Sequence, residues 1–260
     1  MLDRRSFIKM SGITSVATLG ALGASAAEDE PERDYYELRR YHIANEDQKV
    51  ALGDFMGDAA IPALNRLGIR PVGVFEPAQD LSPIYVLLRH TSMESVATLT
   101  QRLLADAEFT AKGASFLDTP VSDRAYWHIE SMLMVAFAGM PHLEMPTTAE
   151  GRVFQLRTYK SPSVKTGQKK IEMFNTAELD IFRKVGMTAV FFGETLIGDD
   201  MPNLTYMLGF DGALEQEAAW QRFFKDPDWI ELRAKPEYSD KAILCGITDN
   251  ILKPAACSQI

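Results

Sequence analysis

Tyr36-Glu37-Leu38-Arg39-Arg40-Tyr41 and Phe154-Gln155-Leu156-Arg157-Thr158-Tyr159 are one stretch written twice, 118 residues apart. Both alternate in the two-residue period of a strand. At the same offset Gly68 meets Gly186 and Glu76 meets Glu194. Further on, Gln101-Arg102-Leu103-Leu104-Ala105-Asp106 meets Gln221-Arg222-Phe223-Phe224-Lys225-Asp226 at an offset of 120, and Phe109 falls opposite Trp229. Four blocks in order at a nearly constant offset identify an internal repeat.

Each copy reads β-α-β-β-α-β. In the first, residues 35–43 alternate as a strand, and Asn45-Glu46-Asp47-Gln48 supplies a helix start. Val50, Phe55, Ala59, Ala63 and Leu67 follow at helical spacing until Gly68 stops the helix, with Pro62 expected to kink or break it. Residues 71–76 and 84–90 read as strands. Thr91-Ser92-Met93-Glu94 caps a second helix with Val96, Leu99, Leu103 and Leu104 inside, and residues 124–135 give the last strand. The second copy places strands near 153–159, 188–194, 204–210 and 242–248, and helices near 164–185 and 212–225.

A four-stranded sheet with both helices on one face leaves the other face bare, and burying that apolar area against a second sheet is the natural solution. The expected class is α+β: two tandem ferredoxin-like βαββαβ domains, residues 35–138 and 152–253, packing sheet-to-sheet as an intrachain dimeric α/β barrel. Residues 139–151 have linker composition.

The charge balance narrows the partners. The chain carries −9, and its first 26 residues contribute +2 through Arg4, Arg5 and Lys9 against Asp3, leaving −11 for the rest. A surface this acidic argues against a nucleic-acid backbone as partner. Asp3-Arg4-Arg5-Ser6-Phe7-Ile8-Lys9 is a twin-arginine pattern, followed by an uncharged stretch ending Ala24-Ser25-Ala26-Ala27. Residues 1–26 are therefore read as a cleaved export signal. The mature protein is expected in the periplasm with no stable membrane insertion, free to self-associate.

The quoted strands resemble the NIPSNAP family of the dimeric α/β-barrel superfamily. Tyr36-Glu37-Leu38-Arg39-Arg40-Tyr41 matches its opening strand, Gly193-Glu194-Thr195-Leu196-Ile197-Gly198 its Gly-Glu-x-x-x-Gly segment, and Asp226-Pro227-Asp228-Trp229 its Asp-Pro-x-Trp turn. The likeness runs from about Tyr35 to Lys253. The first copy departs from it with Phe75-Glu76-Pro77 and Asp106-Ala107-Glu108-Phe109, and the second places Gln155 where the motif has glutamate. The resemblance implies the barrel fold and a binding role, and supplies no agreed reaction.

Residues i and i+2 of a strand share a face. Glu37, Arg39 and Tyr41 therefore point one way, as do Gln155, Arg157 and Tyr159. If Leu38 and Leu156 face the helices, both Arg/Tyr pairs face the space between the sheets, where a guanidinium and a phenol make an anion- or carbonyl-binding surface. The alternative is an internal ion pair of Glu37 with Arg39. Glu76 and Glu194 end equivalent strands as paired carboxylates. No histidine of His42, His90, His128 and His142 stands at ligand spacing from another His or a Cys, so no metal site is expected. Related barrels bind haem, and His128 is the first choice of axial ligand, His90 the second. Three readings follow: a carrier holding a small organic ligand between its sheets, a haem-dependent or cofactor-free monooxygenase or oxidase, and a structural module with a filled barrel. Cys245 and Cys257 offer one disulfide in an oxidising compartment.

Overall fold

Alternation makes the strands, and their edges make the fold. The structure is a computed structural model describing residues 32–260; the twin-arginine segment and its cleavage region lie outside them. In the first half β1 (Tyr35–His42) leads through α1 (Glu46–Phe55), a π-helical segment (Met56–Ala60) and α2 (Ile61–Arg66) to β2 (Gly73–Pro77) and β3 (Ile84–His90). The helices α3 (Met93–Leu104), α4 (Ala107–Lys112) and α5 (Ala114–Leu117) then lead to β4 (His128–Ala136). The second half runs β5 (Val153–Lys160), α6 (Val164–Met173), a π segment (Phe174–Glu178), α7 (Leu179–Lys184), β6 (Thr188–Ile197) and β7 (Asn203–Phe210). It continues through α8 (Ala213–Lys225), α9 (Pro227–Ala234) and α10 (Asp240–Ile243) to β8 (Gly246–Pro254).

The eight strands close into one antiparallel barrel in the order β1-β3-β2-β8-β5-β7-β6-β4. Two seams join the halves: β2 pairs with β8 from Phe75↔Pro254 to Pro77↔Leu252, and β4 pairs with β6 from Leu133↔Ile197 to Ala136↔Gly193. The sheets thus meet edge to edge as one closed wall, which satisfies every edge as well as hiding the apolar faces.

The core that every strand contributes to and no helix enters is the barrel interior. Tyr36, Leu38, Phe75, Leu87, Met134, Phe154, Leu156, Phe191, Met207 and Leu252 all belong to it. Phe75 and Phe154 meet across the halves with ring centroids 4.9 Å apart, as do Tyr36 and Phe191 at 4.9 Å. Leu38 and Leu156 therefore face inward, away from the helices, and the interior is packed with side chains. The expected chamber between the sheets, walled by Arg39 and Arg157, does not form. An interior filled with apolar side chains favours the Tyr/Leu and Phe/Leu faces of the strands, and sends Glu37, Arg39 and Tyr41 to the helix side where polar partners exist.

The π segments begin at Met56 and Phe174 in the two halves. Pro62 stands at the start of α2 directly after the π segment, inside a helix that runs on without a break. Asp180 occupies the corresponding place in α7, so the proline accommodates the π segment without causing it. Gly68 and Gly186 stop the paired helices at φ +82° and +79°, a conformation that favours glycine. Asn45 and Ser92 cap α1 and α3 by accepting from Gln48 N and Ser95 N. Val50 departs from the expected inner face and is exposed, and Leu52 is buried in its place.

Several boundaries differ from expectation: β2 begins at Gly73 and β4 at His128, β6 runs on to Ile197, and the largest differences lie toward the end of the chain. Residues 240–243 form α10 because Ile243 buries in the second helix-side core, and the strand runs on as β8 to Pro254. The tail after Lys253 is packed: Ala255 N donates to Val74 O, Gln259 N to Val72 O, and Ile260 is buried in the barrel interior. Cys257 sits beside Gly57 in that packed tail, Cys245 is exposed, and both are free thiols.

Gly209 in β7 has no room for a side chain. A Cβ there would lie 2.4 Å from Pro146 Cγ of the connecting segment. Gly209→Ala is expected to cost about 1–3 kcal/mol in urea unfolding; an unchanged midpoint would show that the connection is not anchored there.

Candidate binding cavity

On the helix side of β1, Arg39 donates from Nε and Nη2 to the two oxygens of Glu37 at 2.7 and 3.0 Å. Ser131 on β4 donates to Glu37 at 2.9 Å, and the His90 ring lies 3.5 Å from the same carboxylate, long for a hydrogen bond. Burial opposes the charge on Glu37, but the His90 ring, the Arg39 hydrogen bonds and charge, and Ser131 outweigh it and hold the carboxyl at about 2. Burial pushes the Tyr41 phenol up. Bidentate pairing uses two of the five N–H donors of Arg39, and the Tyr41 hydroxyl neighbours the same guanidinium.

Arg39 and Tyr41 form the polar part of a cavity of about 220 Å³ between sheet and helices. Phe55, Met56, Val86, Leu103, Phe116 and Tyr126 supply most of its wall, and Arg39 is its one ionised side chain. Leu104, Leu117 and Ile129 belong to the same wall and are partly exposed, so the mouth is apolar too. A larger pocket of about 450 Å³ lies next to it, shares Phe55 and Phe116 with its wall, and is otherwise lined mainly by polar residues, Asp47, Asp54, Asp58 and Asp123 among them.

The same place in the second half is full. Strand register sets Tyr206, opposite Arg157, against Val86, opposite Arg39. Where the first half has Met56, Thr100 and Leu103, the second has Phe174, Trp220 and Phe223. Trp220 covers the Arg157 guanidinium at 4.8 Å and donates its indole N–H to Gln155 at 2.6 Å. Arg157 Nη1 donates to Asp249 at 2.7 Å, and the Tyr159 and Tyr206 hydroxyls share a hydrogen bond of 2.9 Å. Beneath them Lys170 and Glu178 make a 2.8 Å ion pair at 1% and 2% exposure. Among the fully buried side-chain polar atoms there, Arg157 Nε and Trp229 Nε1 have no hydrogen-bond partner. Larger side chains in the second half thus occupy the volume that the first half leaves open.

The remaining expected site residues are scattered. Glu76 pairs with Lys49 on α1 at 2.7 Å, and Glu194 accepts from Gln168 on α6, so each carboxylate serves its own half. His128 lines none of these cavities. It is 57% exposed and stacks on His42, an arrangement that does not fit an axial haem ligand, which needs an apolar slot on its coordinating side. His90 is buried with Nδ1 against Ser95 Oγ at 3.0 Å and likewise lines no cavity. Sequence spacing missed the Lys170–Glu178 pair and the His42–His128 contact. The first carried a signal, a lysine and a glutamate eight apart within an otherwise amphipathic helix. The second depended on strand register, which single-sequence reading does not supply.

Residues 154–259 match the model of the NIPSNAP family. The first half, where the motif departures accumulate, lies outside the match. Curated proteins give no match. Among solved structures, a candidate monooxygenase from Lactobacillus acidophilus NCFM is similar with a TM-score of 0.56 at 11% identity, over 86% of this chain and 95% of its own. A candidate monooxygenase from Fusobacterium nucleatum gives 0.55 at 6% identity, over 86% and 94%. A NIPSNAP-like domain protein from Burkholderia xenovorans aligns over 41% of this chain and 87% of its own, with 17% identity and a TM-score of 0.37. At these identities the likeness is one of fold.

Proposed function

We propose, for a barrel whose second half carries a NIPSNAP domain, that the first half is a carrier site for a small, flat, mostly apolar molecule bearing one carbonyl or anionic oxygen. One observation supports the reading above the rest: of two corresponding sheet–helix spaces, only that of the first half is left open, and Arg39 is its single charge. Aromatic faces take the ring of such a molecule and the guanidinium takes its oxygen. Binding rather than catalysis is favoured because the wall holds no acid or base matched to neutral pH: Glu37 behind Arg39 is firmly ionised and Tyr41 is firmly protonated. We read the two halves as tandem ferredoxin-like units, one kept open and one filled, and the chain as exported through its twin-arginine segment to act in the periplasm.

The test is a fluorescence titration with 2-naphthoate. Wild type is expected to bind one equivalent saturably. Thr100→Trp, which copies Trp220 at an exposed rim position, is expected to lower affinity at least about tenfold by covering Arg39 and closing the mouth. Equal affinity in the two proteins would end the cavity reading. Oxygen uptake above the protein-free rate with 1-hydroxy-2-naphthoate, whose ring can give electrons to O₂ as that of 2-naphthoate cannot, would turn the carrier into an oxygenase of the cofactor-free kind.

A further inference from the structure

We infer that the rim of the barrel holds a divalent transition-metal site formed by His42, His128 and Glu130. The three side chains come from the paired strands β1 and β4, where His42 and His128 stand directly opposite one another. Their imidazoles stack with centroids 4.2 Å apart and planes 11° apart, which sets two ring nitrogens side by side. Glu130, two residues along the same face of β4, points its carboxylate at both. Oε2 lies 3.0 Å from His42 Nε2 and Oε1 lies 3.6 Å from His128 Nε2. One donor atom from each residue lies within 4.8 Å of the others. A cation about 2.1 Å from each donor must lie in the plane of both rings, so binding requires the stacked, solvent-exposed imidazoles to tilt out of their stack until their lone pairs converge.

The donor chemistry selects the ion. Two imidazoles and a carboxylate suit Zn²⁺ and its neighbours rather than Ca²⁺ or Mg²⁺, and three protein ligands leave a fourth position for water. Strand alternation places the site. Tyr36 and Leu38 face the barrel interior, so Arg40 and His42 continue that face to its end. The site therefore sits at a polar mouth of the barrel, separate from the sheet–helix cavity, which Ile129 faces from the other side of β4. All three ligands reach solvent, with His42 29%, His128 57% and Glu130 35% exposed.

Arg40 is the competitor. Its Nη2 lies 2.9 Å from Glu130 Oε2 and also 3.0 Å from Asp199 Oδ2. A cation entering at Glu130 leaves Arg40 paired with Asp199, so the guanidinium has a second partner to keep. Removing Arg40 should then strengthen the site, a response that scattered surface histidines would not give.

Calorimetric titration of the metal-free full chain with ZnCl₂ alone tests this. Wild type is expected to bind one equivalent. His128→Gln is expected to weaken binding about 100-fold or more, Arg40→Gln to tighten it several-fold, and His142→Gln, in the connecting segment, to leave it unchanged. Thermal melts of each variant check folding, since His128 and Arg40 are exposed enough to be replaced without loss of core. No saturable binding, or the same affinity in wild type and His128→Gln, would overturn the site. A loss on Arg40→Gln would overturn the competition argument and with it the assigned geometry.

Discussion

Lys170→Met will lower stability by about 3–5 kcal/mol, the cost of leaving a buried charge without its partner. For a domain of this size that is a fall in melting temperature on the order of 10 °C. Lys170 Nζ lies 2.8 Å from Glu178 Oε2 and 4.7 Å from the Phe174 ring centroid, with Tyr159 and Trp229 next around it. Burial already pushes the Glu178 carboxyl up against the pull of Lys170. Without the ammonium, Glu178 takes up a proton or stays charged in an aromatic box, and either costs stability. The double variant Lys170→Met/Glu178→Leu keeps the volume and removes both charges, so it is expected to recover most of the loss. The first half has Leu52 and Ala60 at these places and folds without a pair. Urea unfolding of the two single variants and the double measures the coupling. Single losses below about 1 kcal/mol, or strict additivity, would show that the pair is not isolated from water.

Glu37→Gln is the second large effect, and its signature is pH dependence. The carboxyl falls from an ordinary value of 4.5 to about 2 on folding, which corresponds to about 3 kcal/mol. A depressed carboxyl stabilises the fold above its unfolded value and loses that contribution as pH falls toward its folded value. The gap between wild type and Glu37→Gln should therefore be full at pH 7, fall to about half or less at pH 3, and be mostly gone by about pH 2. Unfolding curves at pH 7 and pH 3 decide it. A gap of constant size would assign the loss to packing rather than to charge.

The elements of the fold were legible because their signals are local. Gly68 and Gly186, the Asn45 and Ser92 caps, and the strand alternation each follow from neighbours in the chain. The faces of β1 and β5 were not legible. Leu38 alternates with Arg39, and the pattern alone does not say which side meets helices and which meets the other half. That single choice moved Arg39 from a chamber between sheets to a cavity under helices. The cavity itself was written in the sequence, as Thr100 against Trp220 and Met56 against Phe174, but reading it requires knowing that those positions face one space. His42 and His128 illustrate the same limit: 86 positions separate them along the chain and only strand register joins them.

The β2–β8 contact is a short zipper between the two halves. Were it to part, the wall would become a curved ribbon with two raw margins, each wanting the hydrogen bonds it had just lost. A second chain parted in the same way presents the complementary margins. Reciprocal pairing at that point would satisfy every backbone group in a larger ring but would empty the interior, so the contact of Phe75 with Phe154 beside this zipper is what holds the ring at eight strands.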